Sequence, residues 1–430
     1  MEKEDAKKEA KPTTEEDDKK TFILYHPHEL WLKGKNRNHF LNIMKDNIAK
    51  QLKAGGVKSA KVNGAYLEIY VSCDPEEEEK VIEISKKVFG VANFSRYYKC
   101  ALDIDVLKST ILEKFKLYHQ QHNVKSFKVE TKRQYKKFPL NSMQISSQVG
   151  GAVFESLKIP VDVKNPETTI YIEVKTNCIH FFYEKIPGAK GLPVKSSGGT
   201  VMLLSGGFDS PVASWMALSR GCSLTYVHFH SAPFGEWKSS ISKIRQIVQT
   251  LSAWGGPTKF YAVPIGELQR QIATDAPERF RVTLYRRLMF RVAKKIGEKH
   301  KCLSLTTGDN LGQVASQTME SMTAIQAAIS PFLVMRPLIG FSKEQILKKA
   351  RKIGTHDISV LPGGDCCSHM LPKRVVTQPT IEDTDLAESK LDIDKMVETA
   401  IANAKLMDIN EPWNVDETEE VAACPFTYQE

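Results

Sequence analysis

Apolar residues fall into short blocks along the chain. Some blocks alternate with polar residues and others recur every three to four positions, so the periodicity predicts the elements. Phe22-Ile23-Leu24-Tyr25 predicts a first strand. Phe40, Ile43, Met44, Ile48 and Leu52 fall on one face of a following helix that stops at Gly55-Gly56. Two strands are expected at Ala60–Val62 and Tyr66–Val71, with Asn63-Gly64 as the hairpin signal between them. Glu76–Val88 reads as a second helix with acids at its N-terminal end, and Phe94–Lys99 as a closing strand. The order β-α-β-β-α-β is that of a ferredoxin-like domain.

Residues 101–187 form a second mixed block. Helices are expected at Val106–Tyr118 and Asn141–Leu157, and strands at Phe127–Thr131, Thr169–Lys175 and Ile179–Tyr183. Residues 188–199 are rich in Gly, Ser and Pro and read as a linker. From residue 200 the pattern becomes β-α-β-α. Its strands are predicted at Val201–Leu204, Leu224–Phe229, Lys259–Val263, Leu303–Thr306 and Phe332–Met335. The first is almost wholly apolar, as strands buried on both faces are. Residues 200–380 are therefore expected to form a doubly wound α/β domain, with its ligand at the carboxyl ends of the strands.

Charge sharpens this division. The 430 residues carry a net charge of +9, but residues 1–20 contribute −2 and residues 381–430 contribute −11. Residues 21–380 hold the remaining +22. Residues 1–20 lack apolar periodicity and read as a disordered tail, and 381–430 as an acidic C-terminal extension with weak helical stretches near 384–407. A body this basic favours a polyanion, nucleic acid first. No apolar run is long enough to span a bilayer, and the N-terminal residues fit neither a signal nor a transit peptide. The expected location is the cytoplasm. The eight cysteines include no C-x-x-C pair, which gives zinc ribbons no support.

The chemistry concentrates in Ser205-Gly206-Gly207-Phe208-Asp209-Ser210, between an apolar strand and a helix read as Pro211–Ser219. Glycines at a helix N-terminus let backbone N–H groups approach phosphate oxygens. The Walker pattern is absent. The segment Lys125–Phe138 interleaves Lys125, Lys128, Lys132, Arg133, Lys136 and Lys137 with Phe127, Tyr135 and Phe138, a mixture suited to RNA backbone contact and base stacking.

Ser-Gly-Gly-x-Asp-Ser resembles the PP-loop of ATP pyrophosphatases, which cut ATP between its α and β phosphates. Further segments extend the likeness: Leu32–Arg37, Glu173–Asn177, Gly191-Leu192-Pro193, Thr307–Gln317 and Arg336–Gly340. Together they resemble the tRNA 4-thiouridine synthetases, the ThiI family of tRNA sulfurtransferases, over residues 21–380. The resemblance implies an N-terminal ferredoxin-like domain (21–100), a THUMP RNA-binding domain (101–187) and a PP-loop domain (200–380). It implies an ATP site of Leu203, Leu204, Ser205, Gly206, Gly207, Asp209, Ser210, His228, Phe229, Arg286, Gly308 and Gln317. Asp209 would assist catalysis through Mg²⁺ carried by ATP, and Lys343 would neutralise phosphate charge. Many relatives have an acid before that lysine, where this chain has Ser342.

By the same resemblance, ATP adenylates O4 of a tRNA uridine, at position eight in the family. A persulfide sulfur then replaces the activated oxygen, giving 4-thiouridine. A catalytic cysteine is expected shortly after the Lys343 segment, and the candidates are Cys366 and Cys367. The residues after 380 are too few for a rhodanese domain. The sulfur would come from a separate persulfide donor, a cysteine desulfurase or separate rhodanese, or from sulfide. An iron–sulfur cluster and a homodimer both stay open, as do two other functions: a PP-loop enzyme thiolating a different tRNA base, and a non-catalytic tRNA-binding protein.

Overall fold

The computed structural model describes residues 20–65, 68–234, 237–255, 259–362 and 372–408. They form two compact units, Met1–Lys190 and Gly191–Glu430. The first holds two sheets. β1 (Thr21–Pro27), α1 (Arg37–Ala54), β2 (Lys61–Ala65), β3 (Glu68–Cys73), α2 (Glu78–Ser85) and β4 (Val91–Arg96) follow the ferredoxin-like order. Ile23, Tyr25, Ile69, Val71 and Phe94 are buried with Leu41, Met44, Ile48 and Leu52 of α1. The buried face of α1 thus runs through Leu41, with Phe40 and Ile43 only half-buried beside it.

The hairpin signal was misplaced. Asn63 and Gly64 lie inside β2, opposite Tyr70 and Ile69, and Ala65 pairs with Glu68. This register puts Ile69, Val71 and Cys73 on the buried face of β3. A one-residue slip would turn them out, so burial overrides the turn propensity.

The second sheet is built from β5 (Tyr98–Cys100), α3 (Ile104–His122), β6 (Phe127–Arg133), α4 (Ser142–Leu157), β7 (Thr168–Val174) and β8 (Ile179–Phe182), in strand order β5-β8-β7-β6. Leu107, Ile111 and Phe115 of α3 and Ile145, Val149 and Val153 of α4 recur every four residues and are fully buried against it. Asp103 caps α3, and Asn141 with Gln144 forms a capping box on α4. β5 therefore belongs to the second sheet, before residue 101. A short strand β9 (Ile186–Pro187) returns to pair with β4, completing the order β2-β3-β1-β4-β9.

In the second unit, β10 (Gly199–Leu203), α5 (Asp209–Ser219), β11 (Ser223–His230), α6 (Trp237–Gly255), β12 (Lys259–Pro264), α7 (Gly266–Asp275), α8 (Arg281–Lys299) and β13 (Cys302–Thr306) alternate as predicted. They are followed by α9 (Met319–Ala327), β14 (Leu333–Met335), α10 (Lys343–Ile353) and α11 (His356–Val360). With β15 (Lys405–Met407) the sheet order is β14-β13-β10-β11-β12-β15, parallel except for this last strand. The chain leaves β10 for β11 on one side and returns to β13 on the other. Such a reversal opens a crevice at the carboxyl ends of β10 and β13.

The division between the two units falls within residues 188–199, and this segment is hydrogen-bonded on both sides of it: Lys190 N–H donates to Val91 O, Leu192 N–H to Ser219 O and Ser197 N–H to Gly221 O. Residues 381–408 of the acidic extension are ordered against the second unit, and the helical stretches expected near 384–407 are present. α12 (Ile381–Glu388), α13 (Ile393–Ala402) and β15 (Lys405–Met407) follow, and Ala387, Leu391, Met396, Val397 and Ala400 join the core packed on α8. These apolar positions were hidden in the sequence by the density of surrounding acids.

Candidate active site

The strand-to-helix loop after β10 opens the crevice. α5 starts at Asp209, two residues earlier than expected, so Pro211 still falls in its first turn. Ser210 braces the loop internally. Its Oγ accepts from Ser205 N–H at 2.9 Å and donates to Ser205 O at 3.1 Å. The Ser205 amide is therefore spent on the loop itself. Gly308, in the loop after β13, packs against this turn. A Cβ there would lie 2.7 Å from Ser210 N and 3.0 Å from Asp209 C. Only glycine lets the two loops approach so closely.

Asp209 is the meeting point. Its Oδ1 accepts from Lys343 Nζ at 3.0 Å and its Oδ2 from Gln313 Nε2 at 2.9 Å. Lys343 Nζ also sits 5.3 Å over the Phe208 ring. Ser342 explains the lysine's position: it caps α10 in a capping box with Gln345, so Lys343 opens the helix.

A second cluster lies alongside. Asp309 is buried and accepts from Arg286 at 2.6 Å, from Thr307 Oγ1 at 2.8 Å and from Arg336 at 3.4 Å. Burial alone would raise its pKa, but the Arg286 guanidinium, the Thr307 hydroxyl and Arg336 hold it below the usual carboxylate value. Two arginines against one carboxylate leave a positive surplus at the strand ends. Neighbours on α8 divide here: Arg286 joins this cluster, whereas Arg287 turns about 100° away to Glu388 and Asp385.

The remaining expected ATP-site residues are placed unequally. Leu203 ends β10 and Leu204 follows it at the start of the loop, and Gly206 lies against the Lys243 stem. Gln317 sits in the Gly312 turn with a buried Oε1 that has no hydrogen-bond partner, an atom a ligand would satisfy. His228 is buried with both ring nitrogens engaged, Nδ1 by Leu204 O at 2.9 Å and Nε2 by Ser240 Oγ at 3.3 Å. It braces β10 against β11. The Phe229 side chain packs into the core. Sequence reasoning singled out no role for Gln313, Asp309 or Arg336, although all three stand in quoted segments. It missed Lys243, whose Nζ donates to Leu361 O at 2.7 Å, and Ser359, whose Oγ donates to Gly207 O at 3.3 Å. Those contacts bring the chain past the loop just before residues 363–371. Cys366 and Cys367 lie outside the described residues.

In the first unit, Phe127 and Phe138 of the basic segment are closed to base stacking. Phe127 and Phe138 are buried in the core and Tyr135 packs against it. Strand alternation sends Phe127, Val129 and Thr131 towards the helices, with Thr131 bonded to Ser146 of α4 at 2.8 Å. Lys128 and Lys132 point the other way. Arg133 donates to Phe138 O and Leu140 O, both at 3.1 Å, and ties down the following loop. Lys125, Lys132, Lys136 and Lys137 are exposed.

Among the described residues, no three His, Cys, Asp or Glu side chains group as metal ligands, and no helix is long and apolar enough to cross a membrane. Burial pushes the Cys73 thiol up to about 11 and the Cys100 thiol to about 12. Cys178, Cys222 and Cys302 are raised as well, mainly by burial. These five are poor nucleophiles.

Three family models match: the ThiI ferredoxin-like domain over residues 22–95, the THUMP domain over 101–182, and the thiamine biosynthesis protein (ThiI) over 195–393. A protein of Caldanaerobacter subterraneus subsp. tengcongensis, named "Probable tRNA sulfurtransferase", is 40% identical over 88% of this chain and 97% of its own. One of Alkaliphilus metalliredigens with the same name is 38% identical over 88% and 95%. A solved structure, a 4-thiouridine synthetase–RNA complex with bound ATP, superposes with a TM-score of 0.82 and 32% identity, covering 90% of this chain and 99% of its own. With the relatives spanned almost end to end and the loop, Gly308 and Lys343 brought together, the chain belongs to the ThiI family of tRNA sulfurtransferases.

Proposed function

We propose that this protein adenylates a tRNA uridine with ATP, at the position-eight site used in the family, and replaces its O4 with sulfur to give 4-thiouridine. The observation that carries this is the convergence of Lys343 and Gln313 on Asp209, at the mouth of a glycine loop held by Gly308. The loop and the N-terminus of α5 receive the phosphates of ATP. Lys343 and the Arg286–Asp309–Arg336 cluster supply positive charge as the uridine O4 attacks the α phosphorus and pyrophosphate departs. Among the described residues Asp209 offers the carboxylate at the loop, so Mg²⁺ would be held by ATP phosphate oxygens with Asp209 beside them. Bound there, it would neutralise phosphate charge.

Adenylation makes AMP the leaving group at C4. The terminal sulfur of a persulfide then attacks C4, the C4–O bond breaks and AMP leaves. A second thiol attacks the inner sulfur of the resulting disulfide, and the S–S bond breaks to free the 4-thiouridine sulfur. The new disulfide between the two thiols is reopened by an added thiol reductant. On sequence grounds, Cys366 or Cys367 serves this step, drawing sulfur from a separate donor. The test is to incubate the full chain with unmodified tRNA, ATP, Mg²⁺ and sulfide or a persulfide donor, then analyse the nucleosides by mass spectrometry. 4-Thiouridine with stoichiometric AMP and pyrophosphate is expected. A different thiolated base would favour the alternative thiolating enzyme. Bound tRNA with no pyrophosphate release would favour the non-catalytic protein.

The tRNA surface of the first unit is assigned to Lys125, Lys128, Lys132, Lys136 and Lys137, with Arg133 holding their loop. Replacing Lys128, Lys132, Lys136 and Lys137 together by Ala should weaken tRNA binding. The slope of log K against log salt should flatten by roughly 3, at about 0.7–0.9 per lost phosphate contact. An unchanged slope would place the RNA elsewhere.

A further inference from the structure

The face of the second unit opposite the nucleotide loop carries a concentration of charge that the thiolation chemistry does not use. Ser223 begins β11, Lys259 begins β12, and Lys301 immediately precedes β13, so this face lies at the amino ends of the parallel strands. The eight residues of β11 separate it from the ATP crevice by roughly 25 Å at about 3.3 Å per residue. Lys195, Lys259, Lys299, Lys301 and His300 surround a cavity of about 400 Å³, together with Ser223 and Thr225. Among the described residues, no Asp or Glu lines it.

We propose that this cavity is a second phosphate-binding site, in which Lys195, Lys259, Lys299 and Lys301 converge on one phosphate group or on successive phosphates. This goes beyond the thiolation reading and does not depend on it. Lys299 and Lys301 flank the C-terminal end of α8, where the helix dipole alone favours cations. That account does not reach Lys195 or Lys259, which come from other segments. Two of the four lysines also hold left-handed backbone, Lys195 at φ 77° and Lys301 at φ 56°. At Lys301 this is the usual left-handed ending of a helix, just past the α8 C-cap, whereas Lys195 adopts it away from any helix end.

The local hydrogen bonding fixes where the charge resides. Lys259 Nζ lies 2.9 Å from His300 Nδ1, and the Tyr261 hydroxyl lies 2.7 Å from Nε2. An ammonium can only donate, so Nδ1 accepts and the neutral ring carries its proton on Nε2, donating to the tyrosine oxygen. Burial, Lys259 and Lys299 all hold His300 below its ordinary pKa. The ring is thus neutral, and the four ammonium groups, with no carboxylate among the described lining residues, create a field that an oxyanion would relieve. The two sources of such chemistry are the RNA backbone and a free phosphate ion such as the pyrophosphate the reaction releases.

The experiment is lysine acylation footprinting of the full chain, read by mass spectrometry without ligand, with inorganic pyrophosphate, and with tRNA. Acylation of Lys195, Lys299 and Lys301 should fall at least threefold in one arm. The Lys195→Gln, Lys299→Gln, Lys301→Gln variant, which leaves the Lys259–His300 contact intact, should bind the protecting ligand at least threefold more weakly. Protection by tRNA alone identifies the RNA backbone as the source, with a shallower salt dependence in the variant. Protection by pyrophosphate identifies a free ion. Unchanged acylation in both arms overturns the proposal. The footprint does not read thiolation, so either result stands apart from the fate of that reading.

Discussion

Asp209→Asn should cut ATP-dependent pyrophosphate release by roughly 100-fold or more, the loss typical of removing a charged group from a preorganised electrostatic site. Asparagine keeps the shape and can still meet Gln313, but it surrenders the charge that meets Lys343 at 3.0 Å. Lys343 is about half exposed and Asp209 about a fifth. Breaking a pair this well solvated should change stability by no more than about 1 kcal/mol. The mutation therefore separates chemistry from folding. Thermal unfolding and tRNA binding should stay close to wild type while adenylation is lost. Pyrophosphate release at the wild-type rate would remove Asp209 from the mechanism.

Glu388→Ala carries the largest expected effect on stability. Its Oε1 accepts from Arg287 at 2.8 Å and from Arg291 at 2.6 Å, and its Oε2 from Arg291 at 3.1 Å. The Arg287 side chain is only 3% exposed. Without Glu388 that guanidinium keeps Ala324 O and the exposed carboxylate of Asp385, too little to offset its desolvation. Removing one partner of a buried pair costs about 3–5 kcal/mol. For a unit of this size that lowers the melting temperature by roughly 10 °C. Asp385→Ala is the control: its carboxylate is 56% exposed, and its loss should cost about 1 kcal/mol or less. Equal melting of the Glu388→Ala and wild-type proteins would mean that the helices after residue 380 do not help hold the nucleotide-binding sheet.

Much of the site was legible because its signals are contiguous. Ser205–Ser210 needs only six neighbouring residues to declare a glycine loop between strand and helix, and the strand that precedes it is marked by its unbroken apolar run. The strands and helices were legible for a similar reason. Side-chain period is a local steric property, and Leu107, Ile111 and Phe115 or Ile145, Val149 and Val153 display it without reference to the rest of the chain. The family likeness then supplied the reach that local pattern lacks, linking Asp209 to Gly308 and Lys343 before any distance was known.

What only the tertiary structure decided are contacts between residues far apart in the chain. Lys343 reaches Asp209 across 134 residues, and Glu388 reaches Arg287 across 101. Nothing in either local sequence distinguishes those side chains from solvated ones. Arg286 and Arg287 are identical in type and adjacent, yet one turns to the ATP crevice and the other to the C-terminal helices, because helical geometry separates neighbours by about 100°. Asn63-Gly64 has the propensity of a turn, but pairing with β3 holds it in a strand. His228 stands where a ligand contact was expected, and packing closes both of its nitrogens. Local sequence sets which elements form. Burial, which depends on the whole chain at once, sets which face each residue shows and which charges meet.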